Sequence, residues 1–226
     1  MSMPYYVAPE QVMKDRADYA RKGISRGRSL VGLSCVQGVL LVAENPSSTL
    51  HKVSEIYDRI GFAAVGKYNE FDQLRIAGIR HADLKGYAYS RNDVDARGLA
   101  NQYAQILGQT FTHELKPMEV EILVAEINDD MAEDQLFHVL YDGTLIDETG
   151  WSVLGGDADP ITTRLRTGYE IGLDLTAALA LAVSALAGPD RSLSAKDLEV
   201  ALLRRVGPRR RFQRLAGDTL IGYLAS

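Results

Sequence analysis

The stretch from Gly61 to Lys67 has the residue types that bind phosphate groups. It matches the Gly-x4-Gly-Lys spacing of nucleotide-binding loops and stands directly before a predicted helix. Such loops continue with a serine or threonine that holds magnesium, whereas this chain has Tyr68 there, and Phe62 to Val65 is typical of a buried strand. The pattern therefore predicts a strand followed by a helix whose first amides favour a carboxylate, with nucleotide binding as the alternative.

Serine and cysteine chemistry has little support in the sequence. Ser34 and Ser152 each follow a Gly-x-Ser pattern, but neither is followed by the final glycine of a Gly-x-Ser-x-Gly nucleophile motif. Cys35 is the only cysteine, which excludes a disulfide within the chain and a multi-cysteine metal site. The four histidines are isolated from one another. We therefore expect no metal and no cofactor.

Composition and charge restrict the class of protein further. The 226 residues are 46% hydrophobic and 24% charged, with a net charge of -5, which is typical of a soluble globular protein and argues against nucleic-acid binding. Basic residues nevertheless cluster from Arg204 to Arg214. This run predicts a hairpin whose charges are solvated or paired at a subunit interface, with a phosphate-binding arm as the alternative.

Targeting signals are missing from the sequence. The N-terminus lacks the basic and apolar regions of a signal peptide, and the longest apolar run, Leu175 to Ala187, is too short to cross a bilayer. We expect a cytoplasmic protein that does not enter a membrane.

The candidate residues must be positioned by strands and helices that the hydrophobic pattern predicts. Helices are predicted at Glu10 to Lys22, Tyr68 to Leu84, Asp93 to about Phe111, Ile161 to Tyr169, Asp174 to Ala187 and after Asp218. Strands are predicted at Ser29 to Cys35, Val39 to Ala43, Val53 to Tyr57, Gly61 to Val65, Val120 to Ile127, Leu136 to Tyr141, Thr144 to Ile146, Trp151 to Leu154, Leu198 to Leu203 and Phe212 to Ala216. Gly23 is predicted to end the first helix in a left-handed conformation.

The order of these elements indicates the fold class. Strands occur in blocks separated by pairs of helices, which argues against a parallel sheet with alternating strands and helices. The sequence predicts an α+β fold in one domain. Its architecture is a four-layer α-β-β-α sandwich, in which two antiparallel sheets are covered by helix layers.

Five stretches resemble a known family. They are Pro9 to Gln11, Tyr19 to Ile24, Gly38 to Ser47, Lys52 to Ala64 and Lys67 to Asp72. In these stretches the chain resembles the bacterial, actinobacteria-type proteasome α-subunit. The resemblance implies the α-β-β-α sandwich of N-terminal-nucleophile hydrolases with an extra N-terminal helix. A single domain over 1–226 would then comprise a gating segment at 1–8, a helix at 9–23 and the sandwich at 28–226.

The resemblance also implies that this chain is not itself a protease. Catalytic members of the fold use an N-terminal threonine, serine or cysteine whose own α-amino group acts as the base. Alignment with the catalytic β-subunits places Arg28 at the nucleophile position, and 27 residues precede it. The alternative is an active amidohydrolase that uses Ser29 after self-cleavage behind Arg28.

A scaffold and gate are the functions that the resemblance implies. In the family, heptameric α-rings cap the β-rings, and the residues before the first helix converge on the ring axis to block substrate entry. By position these are Ser2, Met3, Pro4, Tyr5, Tyr6, Val7 and Ala8. Substrates would be unfolded proteins, often marked in this family by a ubiquitin-like protein modifier.

The partner implied by the family is a ring-shaped AAA+ ATPase whose C-terminal tails insert between adjacent α-subunits. Lys52 falls at the position of the pocket lysine that pairs with the carboxylate of the tail, and Gly66 and Lys67 fall at the pocket wall. A carboxylate pocket would also explain a glycine-lysine pair at a helix start. Lys116, Pro117 and Met118 fall in the loop that lines the narrow annulus of the pore.

Overall fold

A computed structural model describes residues 8–225. Its helices are α1 (Pro9–Ile24), α2 (Tyr68–Ala88), α3 (Ala96–His113), α4 (Ala158–Gly168), α5 (Leu175–Ala187) and α6 (Gly217–Ala225). Its strands are β1 (Leu30–Cys35), β2 (Gly38–Glu44), β3 (Val53–Tyr57), β4 (Ile60–Gly66), β5 (Val120–Glu126), β6 (Gln135–Val139), β7 (Leu145–Glu148), β8 (Trp151–Leu154), β9 (Leu198–Arg204) and β10 (Phe212–Leu215).

The strands form two five-stranded antiparallel sheets. One has the order β10-β9-β2-β1-β8, and the other has the order β3-β4-β5-β6-β7. Helices α4, α5 and α6 pack on the first sheet, and α2 and α3 pack on the second, because the strands of both sheets carry apolar side chains on both faces. A third apolar cluster fills the space between the sheets. The predicted four-layer α-β-β-α sandwich is confirmed.

Helix α1 stands apart from these layers. Pro9 occupies its first turn, where a missing amide costs nothing, and its buried residues Ala20 and Ile24 join the apolar cluster between the sheets. Arg16 adds a hydrogen bond of 2.8 Å from its guanidinium to the carbonyl oxygen of Phe111 at the end of α3. The helix therefore extends the core at one end of the sandwich and is fixed to it.

The predicted end of this first helix was wrong. Gly23 lies inside α1, which continues to Ile24, and the cap residue Ser25 has a right-handed backbone. A β-carbon on Gly23 would lie 2.1 Å from Oε1 of Glu119. The glycine therefore packs closely against the Glu119 side chain in the loop before β5, which sequence spacing does not reveal.

The start of α3 also differs from the prediction, in which the helix begins at Asp93. Asp93 belongs to a short 3-10 turn, and Asp95 caps the helix by accepting a hydrogen bond of 2.6 Å from the amide of Gly98. Asp93 and Asp95 have the same intrinsic preference for the helix N-cap, so the sequence does not distinguish them. The contact with Lys85, whose ammonium lies 3.0 Å from the Asp95 carboxylate, favours Asp95. None of the helices within 8–225 is long and apolar enough to cross a membrane.

Candidate functional site

The segment that joins α1 to β1, residues 25–29, lies between two of the predicted pocket residues. The Lys52 ammonium donates hydrogen bonds of 2.6 Å to the carbonyl of Arg28 and 3.1 Å to that of Glu44. On another part of the segment, a β-carbon on Gly27 would lie 3.1 Å from the amide nitrogen of Gly66. The structure therefore brings Lys52 and Gly66 to one connecting segment, and Gly27 is a further member of the site that the sequence analysis missed.

Gly66 can only be glycine in this arrangement. Its φ is +108°, and a β-carbon would lie 2.0 Å from the carbonyl oxygen of Glu119 on the adjacent strand end. The absence of a side chain leaves the backbones of residues 27 and 66 in contact. The glycine-lysine pair in the sequence indicates that another part of the chain can approach the Gly66 backbone closely. It does not indicate that Gly27 is the residue that does so.

The charge of Lys52 is set by its surroundings. The pKa of Lys52 is lowered to about 8, chiefly by burial and also by the Arg28 cation, against the opposing effect of the Glu199 and Glu44 carboxylates. Its backbone amide donates to Glu199 Oε2 at 2.8 Å, which fixes the start of β3. An ammonium of this kind is mostly protonated at neutral pH and is held by carbonyls alone, so it can still pair with an incoming carboxylate.

Lys67 is arranged differently from the other two predicted pocket residues. Its ammonium lies 3.6 Å from Glu70 and 4.0 Å from Glu119, and its backbone amide donates to the carbonyl of Glu119 at 2.9 Å. The amide of Lys67 is therefore not free for a carboxylate, because it is bonded to the loop before β5. Lys67 precedes α2, so the expectation that the first amides of this helix favour a carboxylate stays a prediction.

The predicted annulus residues reach the same two carboxylates. The Lys116 ammonium lies 2.7 Å from Glu70 and 3.2 Å from Glu119. Burial opposes the charge, but the hydrogen bonds to Glu70 and Glu119 raise the pKa of Lys116. Pro117 is buried, and Met118 packs against the apolar cluster beneath α2 and α3. Lys67 and Lys116, predicted for two separate sites, thus share one buried acidic pair.

The loop with the predicted annulus residues also contacts α1. The Lys116 ammonium lies 5.6 Å from the centre of the Tyr19 ring, and Gly23 packs on the Glu119 side chain. These contacts place the end of α1, the start of α2 and the annulus loop in one cluster. The roles assigned to Lys116, Pro117 and Met118 stay predictions.

Most of the predicted gate lies outside the described residues. This applies to Ser2, Met3, Pro4, Tyr5, Tyr6 and Val7. Ala8 is exposed, and its carbonyl accepts the amides of Gln11 and Val12 at the start of α1. Ala8, the last residue of the predicted gate, therefore leads directly into a helix that is packed into the core.

The alternative nucleophile is placed unfavourably. Ser29 is 5% exposed, and its hydroxyl has no hydrogen-bond partner among the described residues. In the uncleaved chain Ser29 has no α-amino group to act as a base, so this alternative requires cleavage behind Arg28. The Arg28 guanidinium contacts the Glu44 carboxylate.

The nucleotide-binding alternative is contradicted by the fold. Gly61 to Gly66 is strand β4, which pairs with β3 on one side and β5 on the other. Phe62, Ala63, Ala64 and Val65 are buried. An extended backbone in a sheet cannot wrap around a phosphate, because its amides donate hydrogen bonds to the carbonyls of the neighbouring strands.

The basic run forms the predicted hairpin, β9 and β10. Its arginines are mostly paired with carboxylates of the same chain, which disfavours the phosphate-binding arm. These pairs are Arg205–Asp134, Arg209–Asp58, Arg210–Glu55, Arg211–Asp129 and Arg214–Glu199. The Asp134 carboxylate belongs to the acidic loop at 128–135. Across the part of the chain that the structure describes, no group of three or more potential metal ligands occurs.

The fold and the site define a class of protein. Two antiparallel sheets packed face to face between helix layers, with an extra N-terminal helix, form the sandwich of N-terminal-nucleophile hydrolases. A family model described as "Proteasome subunit" matches residues 24–203. The chain belongs to the proteasome subunit family, and within it to the bacterial alpha type.

Individual relatives agree with this assignment over nearly their whole length. The chain is 63% identical over 218 residues to the proteasome subunit alpha of Acidimicrobium ferrooxidans, which covers 96% of this chain and 94% of that protein. It is 56% identical over 231 residues to the proteasome subunit alpha of Sanguibacter keddieii, with 100% and 91% covered. It is 54% identical over 227 residues to the corresponding subunit of Thermobifida fusca, with 99% and 91% covered.

Proposed function

We propose that this chain is the non-catalytic, ring-forming α-subunit of a bacterial proteasome core, which gates substrate entry and docks a ring-shaped AAA+ ATPase. The observation that carries the proposal is that Lys52 and Gly66 both contact residues 25–29, the segment that follows α1 and contains Gly27. A lysine ammonium that is held only by carbonyls is suited to bind the terminal carboxylate of an activator tail. Gly66 lets its main chain lie against Gly27 and Glu119, which would fix the wall of this pocket.

The lack of catalysis is supported by the start of the sandwich. Arg28 precedes β1, and its guanidinium is engaged by Glu44, so no nucleophile stands at this position. Helix α1 is packed into the core through Ala20 and Ile24, and removing it to expose Ser29 would uncover apolar surface. Peptide hydrolysis would then reside in separate β-subunits.

The gating proposal is supported by the way α1 is anchored. Residues 2–8 lead directly into α1, which contacts the annulus loop through Tyr19 and Lys116 and the end of α3 through Arg16. Seven copies of a short segment can close a pore by mutual packing with a free-energy difference small enough for a partner to reverse. Because α1 is fixed to the core, it would hold the end of each gating segment in place while the segment itself changes between closed and open arrangements.

The proposed partners follow from this role. They are other copies of this chain in a heptameric ring, the β-subunits, and the C-terminal tails of the ATPase. The substrates are unfolded proteins, including those marked by a ubiquitin-like protein modifier, and the location is the cytoplasm. Nucleic acid and membrane are not proposed as partners.

Peptide hydrolysis by the co-purified α and β subunits tests the gate. Deletion of Ser2 to Ala8 should raise hydrolysis severalfold in the complex, and the α chain alone should be inert. Hydrolysis by α alone, or an unchanged rate after the deletion, contradicts the proposal.

A lysine substitution tests the docking pocket in the same complex. Lys52→Ala should abolish stimulation by the ATPase while the basal hydrolysis stays unchanged. Lys196→Ala is the matched control, because Lys196 is exposed and forms no ion pair with any residue in 8–225. Equal stimulation of the two variants would remove Lys52 from the docking site.

A further inference from the structure

A large cleft opens where β1 ends, whereas the connecting segment at 25–29 and the proposed activator pocket lie where β1 begins. The cleft has a volume of about 800 Å³ and is bounded by the end of β1, the acidic loop at 128–135, the turn between β7 and β8, and the loop behind α4. Arg28, Glu44, Lys52 and Gly66 do not line it. This acidic cleft is therefore separate from the proposed activator pocket.

Carboxylates dominate the charge of its wall. Two of them are neutralised within the chain: the Asp147 carboxylate lies 3.1 Å from the Arg97 guanidinium, and the Asp134 carboxylate lies 2.8 Å from that of Arg205. Three more form no ion pair with a lysine or arginine of residues 8–225, and these are Asp130, Glu133 and Glu148. The acidic cleft therefore carries an excess of negative charge.

The nearest group that could offset Glu148 is an imidazole. His138 Nδ1 lies 3.9 Å from Glu148 Oε1, and its Nε2 lies 3.5 Å from Glu121 Oε2. One imidazole between two carboxylates leaves at least one of the two negative charges without a counterion, even when the imidazole is protonated. The excess charge of the cleft thus persists.

One hydroxyl in the wall has no hydrogen-bond partner. Ser34 is 3% exposed and lines the cleft, and within residues 8–225 its hydroxyl forms no hydrogen bond. It lies on the same face of β1 as Leu30, which packs between the two sheets. The hydroxyls of Ser29 and Ser152 also lack partners, but those atoms are fully enclosed and neither residue lines the cleft. Because buried hydroxyls are normally hydrogen-bonded, the Ser34 hydroxyl points to a ligand.

Apolar groups lie beside these polar ones. Met131, Tyr169 and Ile171 line the cleft, and Ile171 is 84% exposed. The Tyr169 hydroxyl donates a hydrogen bond of 3.1 Å to the carbonyl of Ser34, which holds the aromatic ring beside the end of β1. An aliphatic chain can lie against such groups while its charged end reaches the carboxylates. The cleft therefore suits an organic cation with an alkyl chain.

We propose that the acidic cleft binds a primary ammonium group on an aliphatic chain, which is supplied by a lysine side chain of a partner protein or by a free polyamine. Glu133 and Glu148 supply the negative charge, and the Ser34 hydroxyl is a further acceptor. An ammonium has three donors and no acceptor, which matches a wall rich in acceptors, and its bonds to carboxylates are charge-assisted. The site does not depend on the gate or on the ATPase.

Calorimetric titration of the full chain at constant ionic strength tests the proposal with two probes. One probe is spermidine, and the other is a short N-acetylated peptide with one lysine beside a leucine. The same peptide with an acetylated lysine is the control for the charge. One cation should bind per chain. Tighter binding of spermidine identifies a polyamine as the ligand, and tighter binding of the peptide identifies a lysine side chain.

Glu133→Gln tests the contribution of the carboxylates. It should weaken binding about tenfold, the loss expected for one charge-assisted hydrogen bond. Glu133 is exposed in a loop, so its replacement leaves the core intact. Glu170→Gln is the matched control, because Glu170 is exposed, stands between Tyr169 and Ile171 in the chain and does not line the cleft.

Ser34→Ala tests the hydroxyl without altering any charge. It should weaken binding about fivefold, the loss expected for one neutral hydrogen bond. Ser152→Ala is its control, because Ser152 is buried in the neighbouring strand β8 and its unpartnered hydroxyl does not line the cleft. The proposal is overturned if neither probe binds at millimolar concentration, if the acetylated peptide binds as tightly as the unmodified one, or if either variant binds as its control does.

Discussion

Activator docking through Lys52 should depend steeply on pH just above neutrality. Because the pKa of Lys52 is about 8, about nine tenths of the ammonium is protonated at pH 7 and about one tenth at pH 9. The terminal carboxylate of a tail stays ionised over this range. If the ion pair carries docking, the affinity of a tail should fall about tenfold between these two values.

The fall in affinity cannot come from unfolding driven by the same lysine. The pKa of Lys52 is lower in the folded chain than its ordinary value of 10.5, so its ammonium destabilises the fold below pH 8. That cost is relieved as the pH rises from about 8 towards 10.5, because the unfolded chain then binds more protons than the folded one. Stability from this group therefore increases over the range in which docking weakens.

Fluorescence anisotropy of a labelled peptide on the assembled α–β complex measures the effect. The peptide carries a tyrosine-containing C-terminal motif with a free carboxylate, and the same peptide with a C-terminal amide is the first control. Lys52→Arg is the second, because a guanidinium stays charged throughout and should give an affinity that is flat from pH 7 to pH 9. An unchanged affinity in the parent, or the same fall in Lys52→Arg, would refute the reasoning.

Two further predictions concern stability. Gly78→Ala should lower the free energy of unfolding by about 1–3 kcal/mol, because the added β-carbon would lie 1.7 Å from the buried Tyr103 hydroxyl. Urea unfolding measures this loss. Gly222→Ala is the control, because nothing lies within 4 Å of the added β-carbon, and its urea midpoint should be unchanged or higher. Asp58→Asn should destabilise the chain at pH 7, because the hydrogen bond from Arg91 lowers the pKa of Asp58 and its stabilisation is present above the unfolded pKa. This stability difference from the parent should disappear as the pH falls through the folded pKa, and thermal unfolding at stepwise lower pH measures it.

Element types were predictable because their signals are local. The alternation and apolar runs of β1, β2, β4 and β5 depend on each strand's own residues, and the strand interpretation of Gly61 to Val65 held against the phosphate-loop pattern for that reason. Boundaries were less predictable. Helix α2 continues to Ala88, four residues beyond the predicted end, and α4 begins at Ala158, three residues before the predicted start.

The candidate site was only partly accessible from the sequence. Lys52 and Gly66 were singled out by resemblance, whereas Gly27 was missed because a glycine between two basic residues carries no signal of its own. The sharing of Glu70 and Glu119 by Lys67 and Lys116 was also missed. That cluster joins the start of α2 to the loop before β5, which are about fifty positions apart in the chain.

The sequence by itself determined the order of helices and strands, the apolar faces that build the two sheets, and the family to which the chain belongs. Only the tertiary structure decided which polar groups meet. The Lys52 ammonium reaches the Arg28 carbonyl, 24 positions away in the chain, and the Ser29 hydroxyl has no hydrogen-bond partner among the described residues. Periodicity encodes which face of an element is buried, but distances between side chains on different elements follow from register and sheet packing, which no local pattern contains.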